Sequence, residues 1–183
     1  MPLERFGIFD ADCSPSLVTP EQPSRRNCLV VHPGSGSESK NWPEAAWTAF
    51  LSAWLETEHR SILIVGGEAE GDRLSRLASG LPPDRVETAR SLPLDVLGER
   101  MSSCRGFLGH DSGISHLAAA CGLPGLVLWG PTNPTVWQPS SRRFELLIAR
   151  PGLSQLTVQT VLDRLESLWP QWAISALPGT PPA

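Results

Sequence analysis

The sequence contains no tyrosine in its 183 residues, so no phenol is available as a general acid. It has only four cysteines, Cys13, Cys28, Cys104 and Cys121, at unrelated spacings and without a Cys-x-x-Cys pair. That pattern sets aside a disulfide framework and a zinc cluster, and it leaves reduced thiols packed as small apolar groups. There is no excess of positive charge either: 15 Lys and Arg face 19 Asp and Glu, for a net charge of −4. Arg25-Arg26 and Arg142-Arg143 are isolated pairs rather than a basic stripe, which argues against a nucleic-acid partner held by phosphate neutralisation. No apolar run approaches the roughly 20 residues that span a bilayer. The opening MPLERFGIFD lacks a basic-then-apolar signal segment, so a cytoplasmic location is expected. No internal repeat is evident.

The apolar content of 40% and charged content of 19% fit a globular protein, and the length fits one domain with a sizeable core. Residues 1–26, rich in Pro, Ser and charge, read as an irregular lead-in. From Cys28 the chain alternates regularly. Short apolar runs at 28–31, 61–65, 107–108, 125–129 and 144–149 read as strands, with a further one at 84–90. Between them lie helical patterns at 43–58, 70–79, 94–103 and from about Ser112, and a last one carries Val158, Val161, Leu162, Leu165, Leu168 and Trp169. Pro43 suits the first turn of its helix and Pro170 is expected to end the last one. Strands that are apolar on both sides and alternate with helices predict a parallel sheet covered on both faces, a Rossmann-like α/β domain over 27–170 with a loose tail at 171–183.

Ligands of such sheets bind beyond the carboxyl ends of the strands. Four strand ends here carry unusual residues: HPGSGSESKNWP (32–43), VGGEAEGD (65–72), GHDSGISH (109–116) and WGPTNP (129–134). In the first, Gly34 and Gly36 admit close backbone approach, Ser35, Ser37 and Ser39 offer hydroxyls, and Lys40 is a point charge suited to phosphate. A tight turn with an exposed lysine explains the same residues. The segment is neither a Walker loop nor a full G-x-G-x-x-G. In the third, Asp111 stands at a helix N-cap position, and Ser112 and Gly113 open a helix whose free N–H groups suit an anion. A carboxylate beside phosphates is electrostatically awkward, so Asp111 is expected to meet hydroxyls while Lys40 and the amides meet phosphates. His116 reads equally as a structural histidine or a ligand contact. His110, Asp111 and His116 do not share a helical face as metal ligands would, and GHDSG is off-centre from a nucleophile elbow. Trp42 and Trp137, in loops beside the cleft, are expected to serve packing more than stacking.

HPGSGSESKNWP resembles the His-Pro-Gly-small-Gly…Lys-x-Trp-Pro motif of glycosyltransferase family 9, the heptosyltransferases of the lipopolysaccharide inner core. GHDSGISHLAAACGLPGLVLWGPTNPTVWQP resembles that family's second hallmark, Asp-(Ser/Thr)-Gly-x-x-His-x-x-Ala-Ala followed by Gly-Pro-Thr-x-Pro. The resemblance covers about residues 28–169. It implies the C-terminal, donor-binding half of a two-lobed GT-B fold and a nucleotide-sugar donor, usually ADP-heptose, with no metal and no further cofactor.

Carried over by motif, Lys40 would contact the donor diphosphate, with Ser35 and Gly36 shaping the loop and Ser112, Gly113 and His116 completing the pocket. Asp111 would contact the sugar, and Glu70 the ribose, with Glu68 and Asp72 as alternatives. The catalytic base is expected in an N-terminal acceptor lobe. Asp10 and Asp12 lack the surrounding strand-loop-helix, so no catalytic residue is assigned to this chain. The resemblance thus leaves a glycosyltransferase donor lobe that works with a separate acceptor lobe, or a stand-alone nucleotide-sugar-binding module; a decayed, non-binding relic is disfavoured by Lys40, Asp111 and Gly113 standing together. The exposed cleft face would take either that lobe or a second copy of the chain. A complete enzyme would work peripherally at the inner membrane, yet this chain shows no basic amphipathic helix for the purpose.

Overall fold

The computed structural model describes residues 15–19 and 25–174. Most of the expected lead-in, including Cys13, and the end of the expected tail lie outside the described residues. Six parallel strands form one sheet in the order β3-β2-β1-β4-β5-β6. They are β1 (Arg25–His32), β2 (Ser61–Gly66), β3 (Val86–Arg90), β4 (Cys104–His110), β5 (Gly125–Trp129) and β6 (Phe144–Ile148). The helices are α1 (Glu44–Leu55), α2 (Arg73–Ala78), α3 (Leu94–Ser102), α4 (Gly113–Ala120), α5 (Pro134–Trp137) and α6 (Val158–Ile174), with 3₁₀ turns at Glu38–Lys40, Glu68–Glu70 and Leu153–Gln155. This is the Rossmann-like α/β sheet that the alternation of patterns predicts.

The two-residue period of the strands divides the core. Leu29, Val31, Ile62, Ile64, Leu108, Leu126 and Leu128 face one side, where α1, α2 and α6 close over them. Cys28, Val30, Leu63, Val65 and Phe107 face the other, under Leu97 and Met101 of α3 and Ala118 of α4. Trp54 of α1 meets Trp169 of α6 edge to face, with ring centroids 4.9 Å apart. Two arginines fasten α6 from the amino edge of the sheet. Arg60 lies 3.8 Å over the Trp54 ring and forks onto both carboxylate oxygens of Glu166. Arg105 lies over the Trp169 ring and donates to the Trp169 carbonyl.

Several boundaries differ from expectation. β1 begins at Arg25, because its first residues pair with β4 and Arg25 reaches Glu87 on β3. Pro43 is the N-cap residue of α1 rather than part of its first turn. The second helical pattern divides into the 3₁₀ turn at Glu68–Glu70 and α2. Pro170 lies inside α6 instead of ending it. The lost N–H bond is offset by burial of the rings on either side: Trp169 and Trp172 join the first core cluster, and Trp172 fills the space above Gly106, where a Cβ would come within 2.2 Å of its ring.

The strand order reverses direction between β1 and β4. At that switch point the carboxyl ends of two neighbouring strands release their loops to opposite sides and leave a crevice. His32, at the end of β1, and His110, at the end of β4, bound it.

Candidate functional site

The loop after β1 is held in place by a buried histidine. His110 Nε2 accepts the Trp42 backbone N–H at 2.9 Å, which leaves Nδ1 to donate to the Gly34 carbonyl at 3.2 Å. One imidazole thus fastens both ends of the segment that carries Ser35, Gly36 and Lys40. Burial pushes its pKa down to about 3, so the ring is neutral and its tautomer is set by these two partners. Trp42 is buried and donates its indole N–H to the Leu156 carbonyl, so it serves packing.

Lys40, brought round by the 3₁₀ turn, places Nζ 3.1 Å from Asp111 Oδ2. The same oxygen accepts the Thr132 hydroxyl at 2.8 Å. Asp111, whose side chain is 10% exposed, therefore does not cap α4; the N-cap position belongs to Ser112, which makes no side-chain capping bond. The Ser112 hydroxyl instead lies 3.1 Å from His32 Nδ1, and its carbonyl accepts from Ser115. Among the described residues the first N–H groups of α4 thus have no side-chain partner, and at Gly113 no atom beyond its own helix and neighbours lies within 4 Å of where a Cβ would stand. Gly36 is equally open, and Ser35 folds its hydroxyl onto the Ser37 carbonyl. His116 stands on the exposed side of α4 with Nε2 3.2 Å from the Trp137 carbonyl. Trp137 itself is 58% exposed and lies in the short α5 rather than in a loop.

Glu70 sits lower, at the junction of β1 and β2. Its side chain is 6% exposed; Oε1 lies 3.7 Å from His32 Nε2 and Oε2 accepts the Gly67 N–H at 2.6 Å. His32 first, then the Gly67 N–H, hold the carboxyl down to about 2 against the opposing effect of burial. Gly34 passes directly over it: a Cβ there would lie 2.1 Å from Oε1. A side chain at 34 would therefore force Glu70 or the loop to shift. Glu68 and Asp72 are exposed.

The structure therefore brings Lys40 to Asp111, Ser112 to His32 and the β1 loop to His110, whereas His116 contacts only the Trp137 carbonyl among the described residues. The segment 129–134 was marked in the sequence, but the bond from Thr132 to Asp111 and the loop-fastening role of His110 were not legible, because each partner lies far along the chain. Among the described residues no group of three His, Cys, Asp or Glu side chains is placed to hold a metal ion, and no helix is long and apolar enough to cross a membrane. Cys28, Cys104 and Cys121 are free thiols.

A parallel α/β lobe in which Lys40 of the β1 loop meets Asp111, just ahead of the α4 N-terminus, defines the fold class, and known proteins narrow it. The model of glycosyltransferase family 9 (heptosyltransferase) matches residues 9–163, and this chain belongs to that family. It is 38% identical over 132 residues to lipopolysaccharide heptosyltransferase 1 of Pseudomonas aeruginosa, covering 72% of this chain and 34% of that one. The corresponding enzyme of Escherichia coli K12 is 29% identical over 132 residues, 72% and 41% of the two chains. Among solved structures, E. coli heptosyltransferase WaaC with ADP superimposes with a TM-score of 0.72 at 26% identity, over 81% of this chain and 46% of that one. E. coli ADP-heptose LPS heptosyltransferase II gives the same TM-score at 24% identity, a likeness of fold. The chain thus spans about a third to a half of the length of these relatives, as one Rossmann-like lobe of a GT-B fold.

Proposed function

We propose that this chain is the C-terminal donor lobe of a heptosyltransferase-type enzyme and binds a nucleotide-diphosphate sugar, with ADP-heptose as the donor. The observation that carries the reading is the facing of Lys40 and the α4 N-terminus across the switch-point crevice, with Asp111 between them. Lys40 and the amides of Ser112 and Gly113 bind the diphosphate, in a loop shaped by Ser35 and Gly36, and His116 closes the exposed side of the pocket. Asp111 accepts from sugar hydroxyls, and Glu70, at the junction of β1 and β2, serves the ribose.

The chemistry follows from that placement. An acceptor hydroxyl attacks the anomeric carbon from the face opposite the diphosphate, the bond to the diphosphate oxygen breaks, and the nucleoside diphosphate leaves with the added negative charge. Lys40 and the helix N-terminus stabilise that charge where it develops, in place of a metal ion. The proton of the acceptor passes to a base on an N-terminal acceptor lobe, and the cleft between lobes supplies the orientation that accounts for much of the rate. The lipopolysaccharide-type acceptor and work at the inner-membrane surface belong to that two-lobed assembly, and without it the chain binds donor but transfers no sugar.

Calorimetric titration with ADP and UDP tests the reading. ADP is expected to bind in preference to UDP, and Lys40→Ala is expected to weaken ADP about tenfold, the usual scale for one charge-assisted contact. A folded sample that binds neither nucleotide would overturn it. Adding an acceptor lobe and acceptor separates the two family readings, since a stand-alone binding module shows affinity with no turnover under any such addition.

A further inference from the structure

Asp111 is held by one oxygen only. Oδ2 receives both Lys40 Nζ and the Thr132 hydroxyl, whereas Oδ1 accepts no hydrogen bond among the described residues and is not sealed from solvent. The two donors are not alike. Lys40 reaches Asp111 along a flexible stem and is the group that an incoming phosphate draws away. Thr132 is built in. The Trp129 indole N–H, at the fully buried end of β5, donates to the Thr132 carbonyl at 2.9 Å. Pro131 and Pro134 stiffen the chain on either side, and Asn133 caps α5 by accepting the Thr135 N–H. The Thr132 hydroxyl is thereby presented from a rigid corner, and its χ1 is restricted by β-branching.

We infer that Thr132, anchored by Trp129, is the positioning residue for the sugar end of the site: it holds Asp111 by Oδ2 so that Oδ1 is the acceptor offered to a ligand hydroxyl. The inference rests on the donor-lobe reading above. A carboxylate held through one oxygen keeps a fixed orientation after Lys40 turns to the diphosphate, and a fixed acceptor separates a sugar nucleotide from the bare nucleotide. Without the hydroxyl, Asp111 follows Lys40 and its free oxygen loses direction.

The readout is the ratio of the dissociation constants of ADP and ADP-heptose, measured by calorimetry on the full chain. Thr132→Val, close to threonine in shape, is expected to lower this preference for the sugar nucleotide about tenfold, the scale of a hydrogen bond to a charged group. Thr132→Ser is expected to restore most of it. Because Thr132 acts through Asp111, Thr132→Val placed in an Asp111→Asn background is expected to change the ratio no further. An unchanged ratio in folded Thr132→Val, or full additivity with Asp111→Asn, would overturn the inference while leaving the donor-lobe reading intact. Wild-type protein that binds neither ligand would remove both.

Discussion

Lys40 and Asp111 are 71 positions apart in the sequence and 3.1 Å apart in the fold, and their ion pair spans the crevice in which a ligand diphosphate would lie. The pair has opposite meanings for the two ends of a sugar nucleotide. For the phosphates it is a competitor, since a lysine shared with a carboxylate attracts an anion less strongly.

Asp111→Ala releases Lys40 and removes the negative charge beside the diphosphate site. ADP is expected to bind about threefold more tightly to the variant, in keeping with the modest strength of a partly exposed pair. The preference for ADP-heptose over ADP is expected to disappear. Parallel titrations with the two ligands check both signs, and tighter binding of both ligands would contradict the placement of Asp111 at the sugar.

Gly34→Ala puts a methyl within 2.1 Å of Glu70 Oε1, and backbone and carboxylate must separate. Urea unfolding is expected to show a loss of about 1–3 kcal/mol, the range for overpacking a close site. The double variant Gly34→Ala, Glu70→Ala is expected to recover part of that loss, because the obstructing carboxylate is gone. A single variant as stable as the wild type would mean that the loop shifts freely.

Glu70 has its carboxyl held down to about 2, from an ordinary value of 4.5. A depressed carboxyl contributes stability that is present above the unfolded value and is lost as pH falls through the folded one. Wild-type stability is therefore expected to decline between about pH 4.5 and 2, and Glu70→Gln, which cannot titrate, is expected to flatten that part of the curve. Denaturation midpoints recorded across the window decide it.

His110 titrates near 3 in the fold against an ordinary 6.5, with burial as the main cause. Its neutral form is favoured by folding, so the corresponding stability is full above pH 6.5 and falls as pH drops toward 3, where the folded ring at last takes up a proton. NMR of the assigned His110 imidazole carbons is expected to show no titration between pH 8 and 4. Titration of His110 near 6 would show that its bonds to Trp42 and Gly34 are not maintained.

The strands were legible because a strand buried on both faces carries apolar residues without interruption. Val30, Leu63 and Leu126 have no polar neighbour on either side in the sequence. The candidate site was legible in part for a related reason: Lys40 and Ser112 are polar residues in segments that follow strand ends. The limits were set by contacts across the chain. Pro170 reads as a helix end until Trp172 is seen filling the space over Gly106. Asp111 reads as a cap until Lys40 and Thr132 are found on its oxygen, and no local pattern around GPTNP announces a partner 21 residues upstream. Gly34 reads as a residue for close ligand approach, yet what approaches it closely is Glu70.

The arginine fastenings of α6 have a consequence for how this lobe moves. Arg60 and Arg105 join rings, a carboxylate and a carbonyl at the amino edge of the sheet, so that rim behaves as a stiff chassis. The opposite rim is assembled from polar contacts between loops, among them Lys40 with Asp111 and Ser112 with His32. Any loop adjustment on ligand binding is therefore expected at the carboxyl rim of the sheet, with the back of the lobe staying in place.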